Sequence, residues 1–344
     1  MSLLNSRKVF KPMKYPEALE YWDAHDKMVW HWDEPLLGDD VKDFAKDTEE
    51  NRALITEVMR LFTQNDVEVA DGYDAMLRVF KPVEVKMMLR GHADRENTHI
   101  MAYSNFTETL GFSDEFYSEF LEDDTMKSKI DYVEKAQVRK YEDYERDFYN
   151  TNTNKTLTEY IDYRFRQDVM YMLAVYATLT EGVSLFAQFA MLLAFQFENK
   201  YKGLCTIVEW SIKDEEAHVQ GNSWLFRTFV SENKDVFDDN IKQRIYQAAR
   251  DIVQKECDLV DKLNPTHIDK EKVKEYIKYT TDQRLKLIGF KANWGIENNP
   301  LPFMEEVTLD VLTNMFSGRV TEYGKAAVTG DWEDVRNTPD LVTI

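Results

Sequence analysis

Arg95-Glu96-Asn97-Thr98-His99-Ile100-Met101-Ala102-Tyr103 decides how this chain is read, together with a shorter run at Asp214-Glu215-Glu216-Ala217-His218. Both contain Glu-x-x-His. On a helix, positions i and i+3 share a face about one turn apart, so the carboxylate and the imidazole can point at one ion. Two such helices facing each other would hold a pair of ions inside a bundle, provided that two further helices each contribute an acid. One Glu-x-x-His is expected by chance about once in a chain of this length at ordinary residue usage. Here two of only six histidines carry it, each within an apolar helical pattern.

The missing acids are sought on two other apolar helices. Glu181 interrupts the run from Leu173 to Phe197, where an unpaired carboxylate would be expensive to bury. Its alternative is a buried acid satisfied by an Arg or Tyr. Asp66 lies on the helix that precedes the first Glu-x-x-His, with Glu68 as a rival two residues on. The candidate ligands are therefore Asp66, Glu96, His99, Glu181, Glu215 and His218. Imidazoles among oxygen donors suit iron or manganese better than structural zinc, which normally takes thiolates.

The rest of the chain frames these helices. Leu54, Val58, Leu61, Phe62 and Val69 recur at helical spacing from Thr48 to about Val79, and Pro82 marks the break before a helix over Val83–Leu110, with Gly111 as its C-cap. Shorter helices are expected over Asp114–Leu121 and Met126–Tyr144. One very long helix follows, from Leu157 to about Asn199, interrupted only by Gly182. A helix then starts at Gly203, and amphipathic helices cover Asn240–Leu263 and Lys270–Gly289. No segment alternates at period two, which predicts an all-α protein. Residues 1–320 read as one helical domain, with 1–45 wrapping it and 321–344 a flexible tail rich in turn residues.

Composition narrows the function classes. The 344 residues carry a formal charge of −20, which repels phosphate backbones and argues against nucleic acid and anionic membranes as partners. No uninterrupted apolar run of transmembrane length and no signal peptide at Met1 is apparent. Two distant cysteines, Cys205 and Cys257, fit a reduced, cytoplasmic protein without disulfides.

In order along the chain, Asp66, then Glu96, His99 and Tyr103, then Glu181-Gly182, then Asp214, Glu215 and His218 resemble the pattern of the small, radical-generating (beta) subunit of class I ribonucleotide reductase. That family belongs to the ferritin-like dimetal-carboxylate superfamily. The resemblance spans about Trp30 to Tyr323 and implies a ferritin-like helical bundle with two metal ions per chain: diiron, dimanganese or mixed manganese–iron. It implies that an oxygen species activates the pair and that the oxidant rests on Tyr103 or on the metals. Transfer to a cysteine of the large (alpha) subunit would run through Trp30, Asp214 and Tyr323, with Trp22 and Trp32 as rivals of Trp30. Phe189 would help to dry the pocket around Tyr103. Leu185 and Ser211 depart from the bulkier apolar groups of many relatives. Trp332 could anchor docking, and Asp340–Ile344 resemble the acidic-then-apolar ends that grip the large subunit. A homodimer and, for superoxide activation, a flavoprotein partner follow from the same resemblance. Two other functions share the metal frame: a self-contained oxidase or monooxygenase acting on an apolar ligand, which would need a tunnel to the metals, and an iron-storing ferroxidase, which would be shorter and form a shell.

Overall fold

The computed structural model describes residues 2–119 and 124–308. The tail expected from residue 321, with Tyr323, Trp332 and Asp340–Ile344, lies outside the described residues. Among them there is no strand, and the α-helices form a bundle.

Two long helices form its first layer. α3 (Glu49–Val79) begins at Thr48, whose side chain accepts from Asn51 N at 3.2 Å, and buries Leu54, Ile55, Val58, Phe62, Asp66, Val69 and Tyr73. α4 (Val83–Thr109) follows Pro82 and packs along α3. Gly111, at φ 85°, ends it in the left-handed region that glycine adopts without strain. Before them, α1 (Pro16–Asp26) and α2 (Gly38–Lys46) lie against the core. α2 has a specific task there. Its Asp40 accepts from Gly203 N (3.0 Å) and Leu204 N (2.8 Å), capping the later helix α10 (Lys202–Glu232), which has no side-chain cap of its own.

The shorter helices depart from expectation. Only Glu115–Ser118 forms α5, and residues 120–121 lie outside the described residues. The helix expected over Met126–Tyr144 is two, α6 (Asp124–Lys135) and α7 (Tyr141–Asn150). Arg139 sits in the connector between them and is pulled onto Asp168 (2.8 Å) and Asp147 (3.2 Å), while Lys140 is extended.

The long helix from Leu157 also differs. α8 (Leu157–Ala174) starts on a capping box between Thr156 and Glu159. It then widens into a π-helix over Val175–Ser184, resumes as α9 (Phe186–Leu193), and tightens to a 3₁₀ turn over Ala194–Glu198. Ten π residues are unusual, and such segments gather at functional sites. The wider register is held from several directions. The Thr178 and Thr180 hydroxyls bond the carbonyls of Leu173 (3.2 Å) and Val175 (2.9 Å), five residues back. Arg284 Nε donates to Gly182 O, and Lys129 Nζ to Ser184 O, both at 3.1 Å. Tyr176 reaches across to the Val69 carbonyl, and Gly72 makes that possible, because a Cβ there would fall inside the tyrosine ring.

This stretch, Leu157–Glu198, is long and apolar enough to cross a membrane by length and composition, contrary to the reading that no such run exists. It is almost wholly buried in the protein, which is how an all-round apolar helix serves as a core element. α10 packs on it from one side. α11 (Asp239–Leu263) and α12 (Lys270–Leu287), capped by Asp238 and Asp269, close the other. The metal-ligand candidates thus come from four core segments: α3, α4, the π-helix and α10.

Candidate metal centre

Five of the six candidate ligands converge. Asp66, Glu96 and His99 bring donor atoms within 4.8 Å of one another, and so do Glu96, Glu215 and His218; all are buried. Glu96 belongs to both groups. His218 Nδ1 lies 3.2 Å from Glu96 Oε1 and 3.4 Å from Glu215 Oε2, and His99 Nδ1 lies 3.5 Å from Glu96 Oε2 and 3.4 Å from Glu215 Oε1. Each imidazole therefore faces both glutamates. Glu181 falls in neither group. Its Oε2 accepts from the Tyr73 hydroxyl (2.9 Å) and from Asn222 Nδ2 (3.2 Å), and its Oε1 has no partner.

The donor set is under-satisfied in a telling way. Both oxygens of Asp66 and of Glu96, Oε1 of Glu181, Oε2 of Glu215 and both nitrogens of His218 are buried without a hydrogen bond. The close His218–Glu96 approach does not have hydrogen-bond geometry, so both groups keep lone pairs for a further partner. Orphaned buried acids are costly, and so many aimed at one place is what a cation pair would relieve. The residues fit such a pair.

The electrostatics agree. Burial, then the Glu96 charge, pushes Asp66 well above the ordinary carboxylate range, and burial does the same to Glu181. Burial also opposes charge on Glu96, but the flanking imidazoles of His218 and His99 outweigh it and hold Glu96 at about 2. Burial likewise disfavours cationic histidines. Glu215 and Glu96 nevertheless raise His218 to about 10, and Asp214, Glu215 and Glu96 raise His99 well above the usual imidazole value. Protons thus stand where metal charge would otherwise be.

Asp214 binds outward from this cluster. Its Oδ2 lies 3.2 Å from His99 Nε2 and accepts from Trp30 Nε1 at 2.8 Å; its Oδ1 lies 3.0 Å from His25 Nε2 and 3.7 Å from Arg95 Nε. Trp30 stacks on His99 with ring centroids 5.9 Å apart, and on its other side meets Trp210 at 5.3 Å. Trp32 is only partly buried against the core, and Trp22 abuts Gly91. Tyr103 is buried one turn beyond His99, ring to ring at 6.5 Å. Phe62 covers it at 5.0 Å and is itself backed by Phe189 at 5.2 Å.

Sequence reading missed several neighbours. Tyr73 and Asn222 clamp Glu181, and Asn222 Nδ2 also donates to the Tyr73 oxygen at 3.0 Å. His25 and His92 crowd His218 at 4.9 and 4.6 Å between ring centroids. Spacing held one hint: His92 precedes Glu96 by four residues and Tyr73 follows Asp66 by seven, each on its ligand's helix face. Nothing local marks His25 or Asn222.

The family model for the ribonucleotide reductase small chain matches residues 7–300. A probable ribonucleoside-diphosphate reductase small subunit of Invertebrate iridescent virus 6 is 35% identical, over 98% of this chain and all of that one. Its counterpart from Invertebrate iridescent virus 3 is 33% identical, over 96% of this chain and 88% of its own length. Among solved structures, the ribonucleotide reductase R2 subunit from Clostridium botulinum superposes with a TM-score of 0.77 at 17% identity, covering 89% of this chain and 94% of that one. That likeness shows the expected ferritin-like helical fold. With the family model spanning most of its length, this chain belongs to the ribonucleotide reductase small-chain family.

Proposed function

We propose that this chain is the radical-generating subunit of an aerobic, class I ribonucleoside-diphosphate reductase, working with a large catalytic subunit. Asp66, Glu96, His99, Glu181, Glu215 and His218 hold two metal ions, which are iron, manganese or one of each. The bound pair, activated by an oxygen species (O2, or superoxide delivered by a flavoprotein), supplies the oxidising power. Tyr103 stores the equivalent as a phenoxyl radical in the dry space under Phe62. Asp214 takes the outer nitrogen of His99 and the indole N–H of Trp30, so electron and proton transfer toward the surface share one bonded route, which Tyr323 continues to a cysteine of the large subunit. The carboxyl-terminal residues dock that subunit, and two copies pair as a cytoplasmic homodimer.

The observation that carries this reading is the His99–Asp214–Trp30 chain, with its 3.2 and 2.8 Å links and the indole stacked on the same histidine. A metal site that only stores or oxidises ions has no use for an indole held this way. The alternative, an oxidase for an apolar ligand, calls for a tunnel at the metals. A cavity of about 370 Å³ between α10 and α12 is walled by Glu216, Arg284, Tyr276 and Met304 and by none of the six ligand candidates.

The test is metal analysis with electron paramagnetic resonance on the activated protein, beside Tyr103→Phe. About two ions per chain and a tyrosyl signal absent from the variant are expected. A metal-centred signal with an active variant would move the oxidant off Tyr103, and absence of bound metal would overturn the assignment.

A further inference from the structure

One side of the Tyr103 pocket is aromatic. Phe62 covers the ring, Phe189 and Phe186 stand behind it, and Leu185 is buried. The phenol hydroxyl donates to Ser211 Oγ at 2.9 Å, and Ser211 is fully buried on α10. Neither Asp66 oxygen has a hydrogen-bond partner, so the phenol does not donate to it. Ser211 therefore turns the phenolic proton toward α10 and leaves Asp66 both oxygens for other duties. It sits one turn before Asp214 and Glu215 on the same helix, beside Trp210, which touches Trp30.

A serine hydroxyl both donates and accepts, whereas the isoleucine-like or alanine side chains that would keep this pocket dry do neither. We propose that Ser211 is the positioning residue of Tyr103, bonded to its oxygen in both oxidation states. In the phenol, Tyr103 donates and Ser211 accepts. In the phenoxyl radical, which carries no proton, Ser211 rotates its O–H and donates. The one electron and one proton that separate the two forms pass to the oxygen-derived oxidant of the proposed function. The radical half of the inference rests on that reading; the bond in the phenol does not.

The experiment compares the wild type with Ser211→Ala, Ser211→Thr and Tyr103→Phe. Ultraviolet resonance Raman spectra of the metal-free protein give the tyrosine ring doublet, whose intensity ratio reports phenol donation; subtracting the Tyr103→Phe spectrum isolates Tyr103. Ser211→Ala is expected to shift that ratio toward an unbonded phenol, and Ser211→Thr to restore it. In the activated protein, high-field electron paramagnetic resonance in D2O is expected to show an exchangeable deuteron coupled to the radical. Ser211→Ala loses it and raises the largest g component, while metal content stays unchanged. An identical Tyr103 doublet in wild type and Ser211→Ala overturns the proposal. A shifted doublet with no tyrosyl signal in the wild type keeps the phenol bond, and overturns both the radical half and the role given to Tyr103 above.

Discussion

The two Glu-x-x-His helices are nearly interchangeable as text, yet their histidines live differently. His99 and His218 each turn Nδ1 to Glu96 and Glu215 at 3.2 to 3.5 Å, so toward the ions the site is close to symmetric. Outward the symmetry ends. His99 Nε2 rests on Asp214, and through it on Trp30. His218 Nε2 has no hydrogen bond and is boxed by the rings of His25, His92 and Tyr73. Burial, then His218 and His25, pushes His92 well below the ordinary imidazole pKa, so it stays neutral. One half of the centre is thus backed by a carboxylate and an indole, and the other is packed in uncharged rings. A metal-bound histidine whose outer nitrogen meets a carboxylate is held in one tautomer and orientation; by that standard only the α4 half is rigidly built.

Glu96 is common to both halves, so removing it should destroy the comparison altogether. Glu96→Ala is expected to take metal content from about two ions per chain toward none, measured by elemental analysis after loading and desalting. Retention of one firmly held ion would mean that the halves are independent.

Acid should act on both halves together. With no metal bound, His99 and His218 carry raised pKa values, the latter about 10, and Asp66 and Glu181 are raised as carboxylates. Below those values each group holds a proton that loading must displace, so binding releases protons and strengthens as pH rises. Each proton displaced is worth about tenfold in affinity per pH unit. Taking the pH from 8 to 6 should therefore weaken each site by about a hundredfold for every proton it displaces, and a weakly buffered titration should acidify on metal addition. A pH-independent affinity would contradict the protonation pattern.

Asp214→Asn and His92→Phe then probe the asymmetry itself. The first removes the anion from the outer nitrogen of His99 and should weaken metal binding by about 10- to 100-fold. The second replaces an imidazole that makes no hydrogen bond with a phenyl ring, and should cost less than about tenfold on the same scale. Competition against a chelator reads both. Equal losses would show that His92 orients His218 and that the two halves are matched after all.

What could be read ahead of the structure divides along the same line. Glu96–His99 and Glu215–His218 were legible because i, i+3 spacing is local, and Glu181 stood out as a charge in an apolar run. The partners that decide how those groups behave are remote. Tyr73 meets Glu181 across 108 residues, and His25 meets Asp214 across 189. Trp30 was reached only by resemblance, since nothing in Trp30-His31-Trp32 says which indole turns inward. The π-helix was hidden for a different reason. Val175–Ser184 lies inside one long apolar run, and its wider register depends on Arg284 and Lys129 arriving from other helices.

Glu181 gives the finest test, because it is the one candidate ligand standing outside both donor groups. Its Oε2 is held by Tyr73 and Asn222, which also bond to each other, while Oε1 is free. If Oε1 is the oxygen that meets a metal, the clamp on Oε2 is what aims it. Tyr73→Phe keeps the ring and its packing, leaves Asn222 in place, and removes a single donor. It should lower the unfolding free energy of the metal-free protein by about 0.5–1.5 kcal/mol in a urea titration. Metal affinity should fall with it by about two- to tenfold, the same energy expressed as a binding constant. Lost stability with unchanged or tighter metal binding would mean the reverse: the clamp competes with the metal, and Glu181 must let go of Tyr73 before it can bind.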